Sequence, residues 1–219
     1  MSNLIEYQHP SEIVVILDRS GSMGKATDNV IRAFNDFLTA QQRYPDKCRL
    51  TLVQFNHKID ALTHGRPLSE VIPLNKSTYV PKGSTRLHDA VGRTIDDVSD
   101  RIDESLPTPY RTRVLCAILT DGEDTDSADY TVEDIARLIT KKRTRSQWEF
   151  VFLAANQDAR QVGQQLGIPA KACVDIRISS AGVQAAGALL NQMASTFRQS
   201  GSINNLQLQQ SYDHQLPGR

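Results

Sequence analysis

Ile13-Val14-Val15-Ile16-Leu17, running directly into Asp18-Arg19-Ser20-Gly21-Ser22-Met23, is the stretch on which the fold turns. Five consecutive apolar residues, mostly β-branched, read as a strand buried on both faces, as in the middle of a parallel sheet. Such a strand delivers its downstream loop to the carboxyl edge of the sheet, where open α/β folds bind ligands. That loop offers a carboxylate and two hydroxyls at alternate positions, with a glycine between the hydroxyls. In an extended or gently turning loop, alternate side chains point the same way. Asp18, Ser20 and Ser22 therefore converge on one point, and Gly21 lets the backbone bend tightly there. That point suits a hard cation.

Two later stretches look like its complement. Gly83-Ser84-Thr85 stands just before a helical pattern and offers another hydroxyl. Val114 to Leu119 is a second apolar strand, ending in Thr120-Asp121-Gly122. Three separate loops thus bring oxygen ligands toward a single edge. Together they resemble the metal-ion-dependent adhesion site of the von Willebrand factor type A (vWA) family. That family's pattern is D-x-S-x-S after the first strand, a threonine in a mid-chain loop, and an aspartate after the fourth strand. The matching residues are Asp18, Ser20, Ser22, Thr85 and Asp121, and the match runs roughly from Glu12 to Phe197.

The order of elements gives the fold class by itself. Val30, Phe34, Phe37 and Leu38 mark a helix from about Ala26 to Gln42, closed by Pro45. Leu50 to Phe55 reads as a strand, with an antiparallel neighbour in Ile59 to Leu74 made irregular by Gly65 and Pro67. Leu87, Val91, Ile95, Val98 and Ile102 form the stripe of a second helix, ending before Pro107. After the Val114 strand, Thr131 to Asp134 is a capping-box-like start for a helix that turns Val132, Ile135 and Ile139 inward. Phe150 to Leu153 is a buried strand, and a short helix around Asp158 to Leu166 is terminated by Gly167. Ala172 to Ile176 is a weaker strand, and Val183, Ala186, Leu190, Met193 and Phe197 mark a last helix.

Strands alternating with helices indicate an α/β fold, a mostly parallel sheet with helices on both faces. The resemblance adds the rest: a three-layer, doubly wound, Rossmann-like vWA fold whose six-stranded sheet has the order 3-2-1-4-5-6, with strand 3 antiparallel at one edge. Strands 1 and 4 are then neighbours, which sets Asp18 beside Asp121. The expected organisation is a lead-in at 1–10, the vWA domain at 11–198, and a disordered tail at 199–219, rich in Gln, Asn and Ser.

Composition bounds the function classes. Among 219 residues, Lys+Arg and Asp+Glu each total 25, so no net charge favours nucleic acid or an anionic membrane as partner. No apolar run is long enough to span a bilayer. Met1 to Pro10 lacks the basic segment and apolar core of a secretory signal, so a cytoplasmic location is expected. Cys48, Cys116 and Cys173 have no metal-ligand spacing and read as buried thiols. Lys141, Lys142, Arg143 and Arg145 fall at a helix end, where they complement the dipole.

Each part of the site has a plainer reading. Ser20 and Ser22 could cap the adjoining helix, Thr85 could cap the Leu87 helix, and Asp121-Gly122 alone is an ordinary turn. Glu123, Asp124, Asp126 and Asp129 depart from calcium-loop spacing, and read as a solvated acidic rim rather than a second cation site. His57, His64 and His88 share no ligand spacing, and His88 is placed to orient the Thr85 loop. A magnesium-dependent hydrolase using Asp18 and Asp121 is the rival function. Aspartate after a buried strand resembles haloacid-dehalogenase-type phosphatases, but those need a second Asp where Ser20 stands. A P-loop fails because Arg19 and Ala26 occupy required positions.

The resemblance implies a cofactor and a partner. Magnesium, with manganese or calcium as alternatives, is held by mainly neutral oxygens and so keeps charge to attract a Glu or Asp carboxylate of another protein. The expected role is adhesion without catalysis. By family analogy the partner is an AAA+ ATPase or another complex subunit.

Overall fold

A computed structural model describes residues 10–44, 47–105, 112–155, 158–204 and 206–217. Except for Pro10, the expected lead-in lies outside those residues, as do Pro45 and Pro107 as helix terminators. The chain runs β1 (Ser11–Asp18), α1 (Thr27–Gln42), β2 (Arg49–Phe55), β3 (Ile59–Pro67), α2 (Leu87–Ser105), β4 (Arg113–Thr120), α3 (Val132–Arg145), β5 (Trp148–Ala154), α4 (Ala159–Gln165), β6 (Cys173–Asp175), α5 (Ser180–Ser200) and α6 (Leu208–Gln215). A short 3₁₀ turn, Gly21–Ala26, separates β1 from α1.

All eight residues of β1 are buried, because the strand has neighbours on both edges and helices on both faces. The sheet order is β3-β2-β1-β4-β5-β6, with β2–β3 antiparallel and the other pairs parallel. This is the architecture that the resemblance implies. Alternation along β1 divides the core. Ile13, Val15 and Leu17 pack with α1 and α5, and Val14 and Ile16 pack with α2, α3 and α4. A buried side chain of this size stabilises by about 1.5–3 kcal/mol, so β1 anchors both layers.

Local signals explain most boundaries. Thr131 Oγ1 accepts the Asp134 N–H at 3.2 Å while Asp134 accepts the Thr131 N–H at 3.0 Å, a reciprocal box with Asp in place of Glu. Gly167 closes the α4 region at φ +79°, where a Cβ would meet Ala136 O at 2.9 Å. β3 is irregular as anticipated: its register against β2 shifts twice, and Gly65 N–H bonds to the Thr51 hydroxyl.

The tail departs from expectation. Residues 208–215 form α6, with Leu208 and Tyr212 buried. Sparse apolar side chains suffice here because Ile203, Leu208 and Tyr212 join the α1/α5 core. The polar residues answer the open edge of β6. Gln209 Oε1 accepts the Asp175 N–H at 2.9 Å, and Tyr212 OH accepts the Arg177 N–H at 2.8 Å. Gln-rich composition understates this segment because the Gln209 amide stands in for a missing neighbouring strand, accepting the Asp175 N–H and donating to the Asp175 carbonyl.

Candidate metal centre

β1 and β4 run parallel, with Leu17 opposite Leu119, so their next residues, Asp18 and Thr120, end side by side on one face. The Thr120 hydroxyl donates to Asp18 Oδ2 at 2.6 Å, and Ser20 N–H donates to Asp18 Oδ1 at 2.6 Å. The Ser20 and Ser22 hydroxyls share a hydrogen bond at 3.0 Å, and Ser22 Oγ donates to Asp121 Oδ1 at 2.7 Å. Asp18, Ser20, Ser22 and Asp121 are thus brought together in one set of contacts. Asp18 and Ser20 are buried while Ser22 is exposed, so the set opens to solvent through Ser22.

Thr85 reaches this edge through its loop. Gly21 N–H donates to Gly83 O at 3.0 Å, and Lys82 N–H to Arg19 O at 2.9 Å. Gly83 sits at φ +77°, and a Cβ there would meet His57 Nδ1 at 2.2 Å, so only glycine fits between the imidazole and the serine loop. On its far side the loop is pinned by Thr125, whose N–H donates to Thr85 O at 2.9 Å and whose hydroxyl accepts the Thr85 N–H at 3.1 Å. Thr85 is therefore joined to the serine loop by the backbone of its own loop, and its buried side chain is carried to the same edge.

The plainer readings can be tested on this geometry. Ser20 stands at the N-cap of the 3₁₀ turn without a side-chain capping bond, and Ala26 is the N-cap of α1. The first amides of α2 are capped from outside: His88 N–H by Asp124 Oδ1 at 3.1 Å, and Asp89 N–H by Ser127 Oγ at 3.0 Å. Neither serine caps a helix with its side chain, and the capping of α2 does not fall to Thr85. The serine hydroxyls remain oriented toward the strand ends.

Burial pushes the Asp18 carboxyl up from its ordinary value. Hydrogen bonds from Thr120 and Ser20 oppose this, and the charge of Asp121 adds to it. Tyr79, buried and pushed well above its usual range by burial and then by the charges of Asp18 and Asp121, stays neutral and donates to Asp18 O at 2.8 Å. Two carboxylates among neutral donors fit a divalent cation, which would relieve their mutual repulsion. Among the described residues no three His, Cys, Asp or Glu side chains cluster as ligands, so the donor set is hard oxygen, largely hydroxyl.

The acidic rim is less free than expected. Asp124 caps α2 and lies 3.5 Å from His88 Nδ1, so His88 ties the Thr85 region to this loop through Asp124. Asp129 pairs with Arg93, and Ser84 Oγ donates to Asp126 at 2.8 Å. Several supporting residues belong to no motif. These are Thr120, Tyr79, Asn56, whose side chain holds Lys82 O at 2.8 Å, and Asp89, which accepts the N–H groups of Ala128, Asp129 and Tyr130. Only Thr120 leaves a signal in the sequence, as the strand-end partner of Asp18 once β1 and β4 are neighbours.

The sequence profile of the von Willebrand factor type A domain matches residues 12–180. No curated protein matches the chain. Among solved structures, proximal thread matrix protein 1 from the mussel byssus superposes with TM-score 0.60 at 12% identity, covering 84% of this chain and 48% of that one. The same mussel protein has been solved with a zinc-occupied metal-ion-dependent adhesion site (TM-score 0.58, 12% identity, 84% and 48% covered). A von Willebrand factor type A protein from Catenulispora acidiphila gives TM-score 0.58 at 15% identity, over 84% of this chain and 42% of that one. The chain therefore spans about half the length of these proteins, or less.

Proposed function

The chain belongs to the von Willebrand factor type A family, and on that premise we propose that it is a metal-dependent protein-interaction module. In this reading Asp18, Ser20, Ser22, Thr85 and Asp121 hold a magnesium ion, with manganese or calcium as alternatives, directly or through water. The ion grips an Asp or Glu carboxylate of a partner protein. Domains of this family are commonly such modules and are generally non-enzymatic. The observation that carries the reading is the use of the hydroxyls. Ser20 and Ser22 bond to each other, and Ser22 to Asp121, instead of capping a helix, leaving lone pairs for a cation. A metal on mainly neutral ligands retains charge, and so attracts an anionic oxygen at a remaining coordination position.

By analogy within the family, the partner is an AAA+ ATPase or another complex subunit. The buried cysteines Cys116 and Cys173, both free thiols, fit the proposed cytoplasmic setting. Against the hydrolase alternative stands the state of Asp18. A nucleophile must meet its substrate, yet this carboxylate is fully buried and each of its oxygens already accepts a hydrogen bond.

The test is thermal unfolding with magnesium or manganese and with chelator. An ion at a hundred times its Kd stabilises by about 2.7 kcal/mol, so the melting temperature should rise and fall back on chelation. Ser22→Ala, at an exposed position, should melt like wild type in chelator and lose the response to metal. Identical wild-type curves with and without metal would refute the proposal.

A further inference from the structure

The charges around the site divide into two flanks, and the Thr85 loop runs from one to the other. At its start, Lys82 is tied to Arg19 through its N–H, and its carbonyl accepts from Asn56 Nδ2. Asn56 Oδ1 also accepts the Lys58 N–H at 2.8 Å, so Lys58 and Lys82 spring from one knot of backbone. Next, Gly83 meets Gly21 beside the serines. Ser84 then donates to Asp126, and Thr85 is pinned by Thr125. The donor set therefore lies between a lysine flank and an acidic flank.

Internal pairing sharpens the contrast. Arg19 is bound to Asp60, Arg86 to Asp89, and Arg93 to Asp129. Lys58 and Lys82 are exposed and form no ion pair among the described residues, and the same holds for Glu123 and Asp126. Asp126 receives only the neutral Ser84 hydroxyl, which leaves its charge uncompensated. Val80, 41% exposed and two residues before Lys82, adds an apolar contact to the lysine flank. Screening over about 8–10 Å lets each flank act on the chain lying directly above it.

Resting on the metal-adhesion reading, we infer that the partner presents a charge-segregated segment. The carboxylate that meets the ion is flanked on one side by acidic and apolar residues, seated over Lys58, Lys82 and Val80. On the other side it is flanked by basic residues, seated over Glu123 and Asp126. A uniformly acidic segment is repelled by the Glu123 flank, and a uniformly basic one by the lysines. Rim charges of this kind select partners and speed encounter more than they add affinity.

The experiment displays a peptide library with one fixed central Asp and randomised flanks, and selects on the whole chain in manganese and, separately, in chelator. The metal-dependent pool should segregate acidic from basic residues across the Asp. The best peptide, labelled and titrated by fluorescence anisotropy, should bind about tenfold more tightly than its flank-reversed isomer. The double variant Lys58→Glu/Lys82→Glu should invert the preference on the acidic side of the peptide alone, and Glu123→Lys/Asp126→Lys on the basic side alone. Circular dichroism checks that both remain folded. A metal-dependent pool without segregation overturns this inference and leaves metal adhesion standing. Absence of any metal-dependent enrichment overturns both.

Discussion

Replacing Thr120 by valine keeps a β-branched side chain of nearly the same shape and removes a single hydroxyl. That hydroxyl donates to Asp18 Oδ2 at 2.6 Å and accepts the Gly122 N–H at 3.2 Å. Asp18 is fully buried, and burial pushes its carboxyl up; the Thr120 bond is the strongest influence in the other direction. Without it, one oxygen of a buried carboxylate loses its donor. Hydrogen bonds to charged groups contribute about 1.5–3 kcal/mol, and an unsatisfied buried acceptor costs a comparable amount. The expected loss is about 2–3 kcal/mol, or roughly 5–10 °C in melting temperature for a domain of this size. Urea and thermal unfolding in chelator measure this loss with no ion contributing. Magnesium or manganese titration should then show affinity down at least about tenfold, because residues that orient metal ligands typically matter by that much. Stability unchanged to within about 0.5 kcal/mol would refute the role given to Thr120. Lower stability with unaltered metal affinity would remove Asp18 from the cation site.

Asp89 makes a prediction about acid. Burial alone would raise its carboxyl, but the N–H groups of Ala128, Asp129 and Tyr130, with Arg86, hold it below the ordinary value. A depressed folded pKa contributes stability that is complete above the unfolded value of about 3.9 and is lost as pH falls through the folded value. Asp89→Asn should therefore lower stability at neutral pH by about 2–3 kcal/mol and flatten the acid limb of the stability curve; an acid limb as steep as wild type's would count against this clasp. At the other end of the sheet, Tyr212→Ala should cost about 3–5 kcal/mol in urea unfolding, since the ring is 1% exposed and its hydroxyl accepts the Arg177 amide. An unchanged midpoint would mean that α6 does not pack on β6 in solution.

The central strand is legible in the sequence because burial on both faces leaves an unbroken apolar run, Ile13 to Leu17, which polar-faced alternatives cannot mimic. The cap at Thr131 and the stop at Gly167 are legible because their signals are local. The Asp18–Thr120 bond becomes legible only once β1 and β4 are set side by side, since it depends on the register between two strands about a hundred residues apart. The acidic loop misleads for a related reason. Asp124 and Asp129 look solvated until α2 is known to lie across them, offering amides and Arg93. The tail looks disordered because Gln209 acts there as a surrogate for backbone, a use that composition does not record.

The trans-capping of α2 explains how the hydroxyls stay available. A helix start ordinarily recruits a nearby Ser, Thr, Asp or Asn to its free amides, worth about 1 kcal/mol. Thr85 is suitably placed in sequence for that task, yet Asp124 and Ser127 perform it from the loop after β4. The same loop begins with Asp121, which takes the Ser22 hydroxyl, and it ends on the Asp89 clasp. One segment thus both satisfies the helix and supplies a carboxylate to the site. Damage to its capping bonds should be felt at the Thr85 loop as much as in the helix. For that reason the metal affinity of Asp89→Asn or Thr120→Val, and not stability alone, distinguishes a prepared cation site from a chance meeting of polar side chains.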